Sequence, residues 1–276
     1  MKQFATLVVL FWTAPGYAAD SPRKPIDRSG ETPDFCQTDP AGGFPDKGGD
    51  FCGPVAVSNS LMYLAKNSFP KLLPAEKTEK EAQIELIHRL ASKEYMDTVE
   101  KDGTSPPRLM AGVQRLAEDS GYKVIRLEQQ GWKEATAQFP QGAEMPSLNW
   151  IKDGLSAKGG AVWLNVGWYK ADAKTNEYRR IGGHWVTLVG YGKDRDGKED
   201  SLTFMIHDPA PRTGMKPLTQ WVRFDPLEKG FLQRDLSTTK VQRRAAKGFF
   251  EMKGEMKLKT NADVAILDAA VVLELK

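Results

Sequence analysis

The sequence predicts an α+β fold, with helices in the first half of the chain and a sheet in the second. Between Pro54 and Gly121 the apolar residues recur at helical spacing, whereas beyond Tyr122 they form short β-branched runs. Because the helices precede the strands instead of alternating with them, the pattern favours α+β over α/β. A chain of 276 residues is long enough for one large domain or two small ones.

The N-terminus has the features of a secretory signal peptide. Lys2 is followed by an apolar run from Phe4 to Ala14, and small residues mark a cleavage site after Ala18. The run is far shorter than the roughly 20 residues that span a bilayer. We therefore expect residues 1–18 to be removed, no integral membrane segment to remain, and the protein to be secreted or periplasmic. Residues 19–34, rich in Pro, Ser and Asp, are expected to be a mobile segment.

Three helices are expected in the first half. The segment from Pro54 to Ala65 is rich in helix formers and has a proline near its first turn, which places Cys52 at the helix N-terminus. A charged helix is expected around residues 75–95, and a third follows "GTSPP" and ends at Gly121. A thiol is thus predicted at the start of the first helix.

The second half holds a series of strand-like runs. "KVIRL", "AVWLNVGWY", "HWVTLVGY" and "LTFMIHD" are apolar and β-branched, and "PSLNWIKDGLSAKG" is a short helix between the first two. The turn-rich "GKDRDGKEDS" joins the last two runs as a hairpin. Residues 212–276 contain further strand-like runs. This C-terminal extension is expected to be β-rich and to pack on the same domain, either completing the sheet or forming a small appendage.

Charge and cysteine content narrow the classes of function. The formal net charge is +3 and the basic stretch "QRRAAK" is short, so no nucleic acid partner is indicated. Cys36 and Cys52 form no CxxC motif and the three histidines lack metal-ligand spacing, so no metal and no other cofactor is expected. Two alternatives remain for the cysteines: one disulfide, or a reactive thiol and a spare one.

A Cys/His/Asp arrangement explains the position of Cys52 best. A helix N-terminus stabilises a thiolate. His184 in "IGGHWVTLVGYG" is the candidate base, and Asp208 in "FMIHDPA" is the candidate group that orients its imidazole. Strand alternation puts Asp208 and His207 on opposite faces, so pairing of the two strands would bring Asp208 to His184 and direct His207 away. The two glycines before His184 are expected to leave room for a substrate.

These residues carry a resemblance to a known family. "DFCGPVAVSNSL", "GTSPPRLMAGVQRLAEDSGY", "GGHWVTLVGYG" and "IHDPA" make residues 35–211 similar to a papain-like cysteine peptidase, most of all to the bacteriocin-processing, or double-glycine, group. The resemblance implies a helical half that carries the Cys and packs on an antiparallel sheet that carries the His and Asp. It also implies Cys52 as nucleophile, His184 as general base and later acid, and Asp208 as the orienting residue.

The sequence departs from this family at the oxyanion hole. Relatives usually place a Gln six residues before the Cys, and here that position is Asp46. Gln37 lies further upstream, and the inserted loop "TDPAGGFPDKGGDF" is the feature that would let it reach the site; the alternative is a surface Gln. The expected oxyanion donors are Gln37 and the backbone N–H of Cys52.

The predicted function is hydrolysis of a peptide or isopeptide bond through a thioester on Cys52, with a peptide or protein as substrate. One alternative is acyl transfer to an amine or thiol, as in transglutaminase-like or phytochelatin-synthase-like relatives. A second is a secreted binding module without catalysis, in which Cys36 and Cys52 form a disulfide. No oligomeric state is indicated.

Overall fold

The computed structural model describes residues 23–74, 77–99, 103–133, 135–210, 218–237 and 240–276. Within these ranges the chain forms four α-helices and ten strands, and the strands join in one large, mostly antiparallel sheet. The predicted α+β class is therefore confirmed. The predicted signal peptide, residues 1–18, lies outside the described residues.

The helices follow the local signals in the sequence. Thr78 and Glu81 form a reciprocal capping box at the start of the second helix, and Pro106 is the first residue of the third. Among the described residues, no helix is both long and apolar enough to cross a membrane. The helices are α1 (Cys52–Asn67), α2 (Glu79–Ala91), α3 (Pro106–Asp119) and α4 (Leu148–Ser156).

The strands are β1 (Ile26–Asp27), β2 (Val124–Gly131), β3 (Gly160–Asp172), β4 (Glu177–Lys193), β5 (Glu199–His207), β6 (Thr219–Pro226), β7 (Phe231–Ser237), β8 (Lys240–Ala245), β9 (Phe250–Gly254) and β10 (Val264–Leu275). Antiparallel pairing runs from β3 through β4, β5, β6, β9 and β10 and back to β3. These six strands therefore close a circuit. Outside it, β2 pairs with β10, β1 and β7 pair with β4, and β8 pairs with β7.

The two faces of β3 and β4 pack against different cores because side chains alternate along a strand. On one face, Trp163 and Trp185 join a core built from α1, α2 and α3. On the other face, Leu164 and Val186 join a second core that includes α4. On the first face α1 packs against β3 and against β4, the strand that contains His184.

The strands β6 to β10 pair within the same sheet as β3, β4 and β5. The strand β10 pairs with β2 on one side and with β3 on the other, and the residues from Ala265 to Leu273 are all buried. The described part of the N-terminal segment also lies on the sheet. There β1 pairs with β4, and Arg28 donates to the carbonyls of Gly160 and Ala157.

Candidate active site

Cys52 is the first residue of α1 and lies, half-buried, in a cleft of about 300 Å³. Pro54 has no N–H, and Val55 donates its N–H to the carbonyl of Phe51 at 3.0 Å. The N–H groups of Cys52 and Gly53 precede this bond and have no carbonyl of the helix to bind. The thiol therefore lies where the end of the helix favours negative charge.

The start of α1 lies close against the loop that leads into α3. A Cβ added to Gly53 would come within 2.8 Å of Thr104 Cβ and Oγ1, so this approach requires glycine. Trp185 Nε1 donates to the carbonyl of Thr104 at 2.8 Å, which ties the same loop to β4. The cleft is thus bounded by α1, the loop before α3 and β4.

Two buried hydrogen bonds set the position of α1 relative to the sheet. Thr187 Oγ1 and Trp163 Nε1 both donate to the carbonyl of Ala56, at 2.8 and 3.2 Å. Ala56 lies about one helical turn beyond Cys52, and Thr187 lies on the same strand as His184. The distance between thiol and imidazole is therefore controlled by the packed core and not by the surface of the cleft.

His184 on β4 and Asp208, directly after β5, form a buried pair. Nε2 and Oδ1 are 2.6 Å apart, and the two side chains are 9% and 2% exposed. Antiparallel pairing sets Thr187 opposite His207, which brings Asp208 toward His184. Asp208 Oδ1 also accepts the N–H of Ala210 at 2.8 Å, and this bond orients the carboxylate.

The environment of His184 favours its protonated form. Burial by itself lowers the pKa of His184, but the charge and hydrogen bond of Asp208 and those of Cys52 outweigh burial and raise the pKa to about 10. Because Nε2 binds Asp208, the ring nitrogen that remains for Cys52 is Nδ1. Trp168 stacks beside the imidazole with 6.0 Å between ring centres. At neutral pH the imidazolium therefore lies between the carboxylate of Asp208 and the sulfur of Cys52.

His207 belongs to a different environment. It is buried, with Nδ1 3.1 Å from the carbonyl of Pro33 and Nε2 3.1 Å from Thr219 Oγ1. The structure thus brings together His184, Asp208 and Cys52 and directs His207 to the other side of the strand, as the alternation of β5 predicts.

Gln37 does not line the cleft. Its buried side chain donates from Nε2 to the carbonyls of Gly48 and Gly49, both at 2.8 Å. These bonds use both amide hydrogens, and Oε1 has no hydrogen-bond partner within the described ranges. In this geometry Gln37 stabilises the loop that leads into α1 and has no hydrogen left for an oxyanion. Of the two predicted oxyanion donors, the backbone N–H of Cys52 is the one at the site.

Cys36 and Cys52 are both free thiols. Cys36 is buried, and its Sγ lies 3.6 Å from the carbonyl of Ala210 and 3.4 Å from Thr38 Oγ1. The disulfide that the binding-module hypothesis requires is therefore not formed in this structure. Among the described side chains, no cluster of three or more His, Cys, Asp or Glu residues is arranged to hold a metal ion.

A second buried ion pair contributes to the cleft and was not predicted from the sequence. Arg180, which lines the cleft, donates from Nε to Asp268 Oδ2 at 2.6 Å. Asp268 is fully buried, and its Oδ1 accepts from Tyr169 Oη at 2.5 Å and Trp132 Nε1 at 3.1 Å. The signal in the sequence is a single carboxylate inside the apolar run "VAILDAAVV", because a buried carboxylate needs partners.

The glycine before His184 makes room for Arg180. A Cβ added to Gly183 would come within 2.2 Å of Arg180 Nη2. The expectation that this space is left for a substrate is therefore wrong at Gly183, since a guanidinium already occupies it. Arg180 and Gly183 both line the cleft, so this guanidinium is part of its wall.

Comparisons with known proteins do not assign the chain to a family. No protein-family model matches the sequence, and a search of curated proteins finds no match either. The site is defined by its geometry: a thiol at a helix N-terminus, an imidazole beside it, and a buried carboxylate that holds the imidazole.

Proposed function

We propose that the protein is a papain-like cysteine peptidase that hydrolyses a peptide or isopeptide bond through a thioester on Cys52. The observation that carries the proposal is that Cys52 and His184 line one cleft and that buried Asp208 binds His184 at 2.6 Å. The packing of α1, α2 and α3 on one face of an antiparallel sheet supports it, because the family resemblance implies a helical half that packs on such a sheet.

The reaction begins with Cys52 as a thiolate beside protonated His184. The imidazolium and the N-terminus of α1 both stabilise negative charge on the sulfur. The sulfur attacks the carbonyl carbon of the substrate, and the electron pair of the C=O bond moves to the oxygen. We assign the backbone N–H of Cys52 as a donor to this oxyanion.

Two proton transfers by His184 complete the cycle. His184 gives the Nδ1 proton to the leaving amine, the C–N bond breaks and a thioester remains on Cys52. The neutral imidazole then takes a proton from water, which attacks the thioester, and the C–S bond breaks to release the acid. Asp208 accepts from Nε2 throughout and keeps Nδ1 directed at the sulfur.

Thiol labelling tests whether Cys52 is activated. The purified protein is treated with iodoacetamide at a series of acidic to neutral pH values, and the labelled site is identified by mass spectrometry. We expect Cys52 to react rapidly over this pH range and His184→Ala to lose this reactivity. Cys36 is buried and is the internal reference. Slow labelling of Cys52 with the same pH dependence in both proteins contradicts the proposal.

Peptide turnover tests the reaction itself. With a library of internally quenched peptides, Cys52→Ala is expected to abolish hydrolysis and His184→Ala to lower kcat/KM by about 10²- to 10⁴-fold. Cys36→Ala is the matched control and retains wild-type turnover. Hydrolysis by Cys52→Ala at the wild-type rate would overturn the proposal. A conjugated product formed when an acceptor amine is added would reassign the site to acyl transfer.

Export belongs to the same proposal. If residues 1–18 are a signal peptide, the mature chain recovered from the periplasm or the medium begins at Ala19. N-terminal sequencing by mass spectrometry checks this, and an intact Met1 on an exported chain contradicts it.

A further inference from the structure

Positive charge dominates the lining of the cleft around Cys52. Arg108, Lys133 and Arg180 line it, whereas Asp50 is the one carboxylate among the described residues that line it. The charge of protonated His184 is offset by Asp208, to which it is bonded. Such a lining attracts anionic groups and is unfavourable for cationic ones.

Arg180 is the member of this set that is held by a buried carboxylate. Its Nε is bound to Asp268, which has no exposed surface and is also held by Tyr169 and Trp132. Arg180 is itself 16% exposed, and its Nη2 lies over Gly183. Because a buried carboxylate holds one edge of the guanidinium, the other edge is presented to the cleft at a constant position. A planar, preorganised guanidinium is well suited to bind a carboxylate.

The excess of positive charge continues beyond the cleft. A second groove of about 500 Å³ shares Lys133 and Arg180 with it and is also lined by Arg179, Arg234 and Asp235. Arg179 forms an ion pair with Asp235 at 3.2 Å, so that carboxylate offsets one of the cations. A substrate that extends from the cleft into this groove contacts a surface with more positive than negative groups.

We infer that the substrate carries a carboxylate close to the scissile bond and that Arg180 and Lys133 bind it. This inference rests on the proposed function, because it names the substrate class of the same cleft. Arg180 provides the oriented donor, and Lys133 and Arg108 raise the local concentration of anionic substrate. An acidic side chain and a C-terminal α-carboxylate present the same chemistry to these residues.

Two alkylating reagents test the charge of the cleft without a known substrate. Iodoacetate and iodoacetamide transfer groups of similar size to a thiol and differ by one negative charge. We expect the ratio of their rates at Cys52, iodoacetate over iodoacetamide, to exceed the ratio at N-acetylcysteine by about tenfold at low salt, and to fall as salt screens the attraction. His184 contributes to this ratio, so the comparison of variants decides the inference.

The variant Lys133→Gln/Arg108→Gln isolates the contribution of the cleft cations, because His184 is unchanged in it. The ratio is expected to fall several-fold, whereas it stays at the wild-type value in Lys198→Gln, a change of an exposed lysine in the turn between β4 and β5. If the wild type is labelled rapidly and the ratio in Lys133→Gln/Arg108→Gln equals the wild-type ratio, the inference is overturned and the proposed peptidase is left intact. Slow labelling by both reagents instead contradicts the proposed function.

Peptides distinguish the two sources of a carboxylate. Internally quenched libraries are compared that carry Glu with an amidated C-terminus, Gln with a free C-terminal carboxylate, or Gln with an amidated C-terminus. One of the two anionic sets is expected to have a kcat/KM at least about tenfold above the neutral set, the effect of one charge-assisted hydrogen bond. The set that is preferred identifies the source. Equal or faster cleavage of the neutral set overturns the inference.

Discussion

Two buried ion pairs on the strand β4, Arg180 with Asp268 and His184 with Asp208, have nearly the same geometry and different chemistry. In each pair a base donates to a carboxylate at 2.6 Å, and neither carboxylate is more than 2% exposed. His184 titrates, and it also contacts Cys52. Arg180 stays charged, and its carboxylate has two further donors.

The chemistry of each buried ion pair depends on whether its base can release a proton and on which other groups contact the pair. A pair whose base can release a proton next to a thiol is suited to proton transfer. A pair whose base keeps its charge and whose carboxylate is fully bonded supplies a fixed positive charge to the cleft. The hydrogen-bond length is the same in both cases, so the difference comes from the pKa of the base and from the third partner of each pair.

Breaking the Arg180 pair is expected to have the largest effect on stability. Arg180→Met leaves the buried charge of Asp268 without its cation, which is expected to lower the free energy of unfolding by about 3–5 kcal/mol in urea unfolding. Arg179→Met is the matched control, because Arg179 pairs with Asp235 on the surface and its loss has little effect. Equal destabilisation by the two variants would mean that Asp268 does not depend on Arg180.

Removing the charge of Asp208 is expected to shift the titration of His184. In Asp208→Asn the pKa falls from about 10 toward the ordinary 6.5, because the largest cause that raises it is lost. A raised pKa contributes stability that is fully present below pH 6.5 and disappears as the pH rises through about 10. In the variant this contribution is smaller and disappears at a lower pH than in the wild type. The alkaline limb of its pH–activity profile shifts to lower pH as well.

The titration of the imidazole C–H signals by NMR checks this shift, with the three histidines assigned by His→Gln substitution. A midpoint near 10 in both proteins contradicts the role given to Asp208. Unfolding by urea at neutral and alkaline pH is the second measurement. A lower pKa of His184 must be accompanied by a smaller loss in the free energy of unfolding between these two pH values.

A smaller effect is expected from Tyr169→Phe, which removes one donor to Asp268 and keeps the packing of the ring. Burial and then the charge of Asp268 raise the pKa of Tyr169 well above 10, so the phenol remains a donor. Its loss leaves Arg180 and Trp132 as partners, and we expect a decrease of about 1–3 kcal/mol in the free energy of unfolding. Tyr178→Phe, whose ring packs in the same core, should stay within about 0.5 kcal/mol. Similar losses in both variants would show that packing and not the hydrogen bond accounts for the effect.

Local patterns were enough to predict most of the elements that carry the site. The start of α1 at Cys52 follows from a proline near the first turn, and the strand around His184 follows from its β-branched run. The opposite directions of Asp208 and His207 follow from the period of two along a strand. Each of these properties depends on a few consecutive residues, so no tertiary information is needed.

Properties that depend on distant segments were missed or misread. The space over Gly183 belongs to Arg180, which is held there by a carboxylate 88 residues away in the sequence. Gln37 points to the carbonyls of Gly48 and Gly49 because the loop folds back on it, and loop closure has no periodic signal. The spacing of residues in the sequence therefore does not predict which groups such a side chain binds.

The sequence by itself determined the α+β class, the thiol at a helix start and the faces of the strands, because these depend on propensity, capping and side-chain periodicity. Only the tertiary structure decided which strands pair. It places β10, from the end of the chain, between β2 and β3 and thereby brings Asp268 to Arg180. Pairing between distant strands depends on the complementarity of whole faces, and many registers of apolar residues satisfy the same local pattern until the chain is packed.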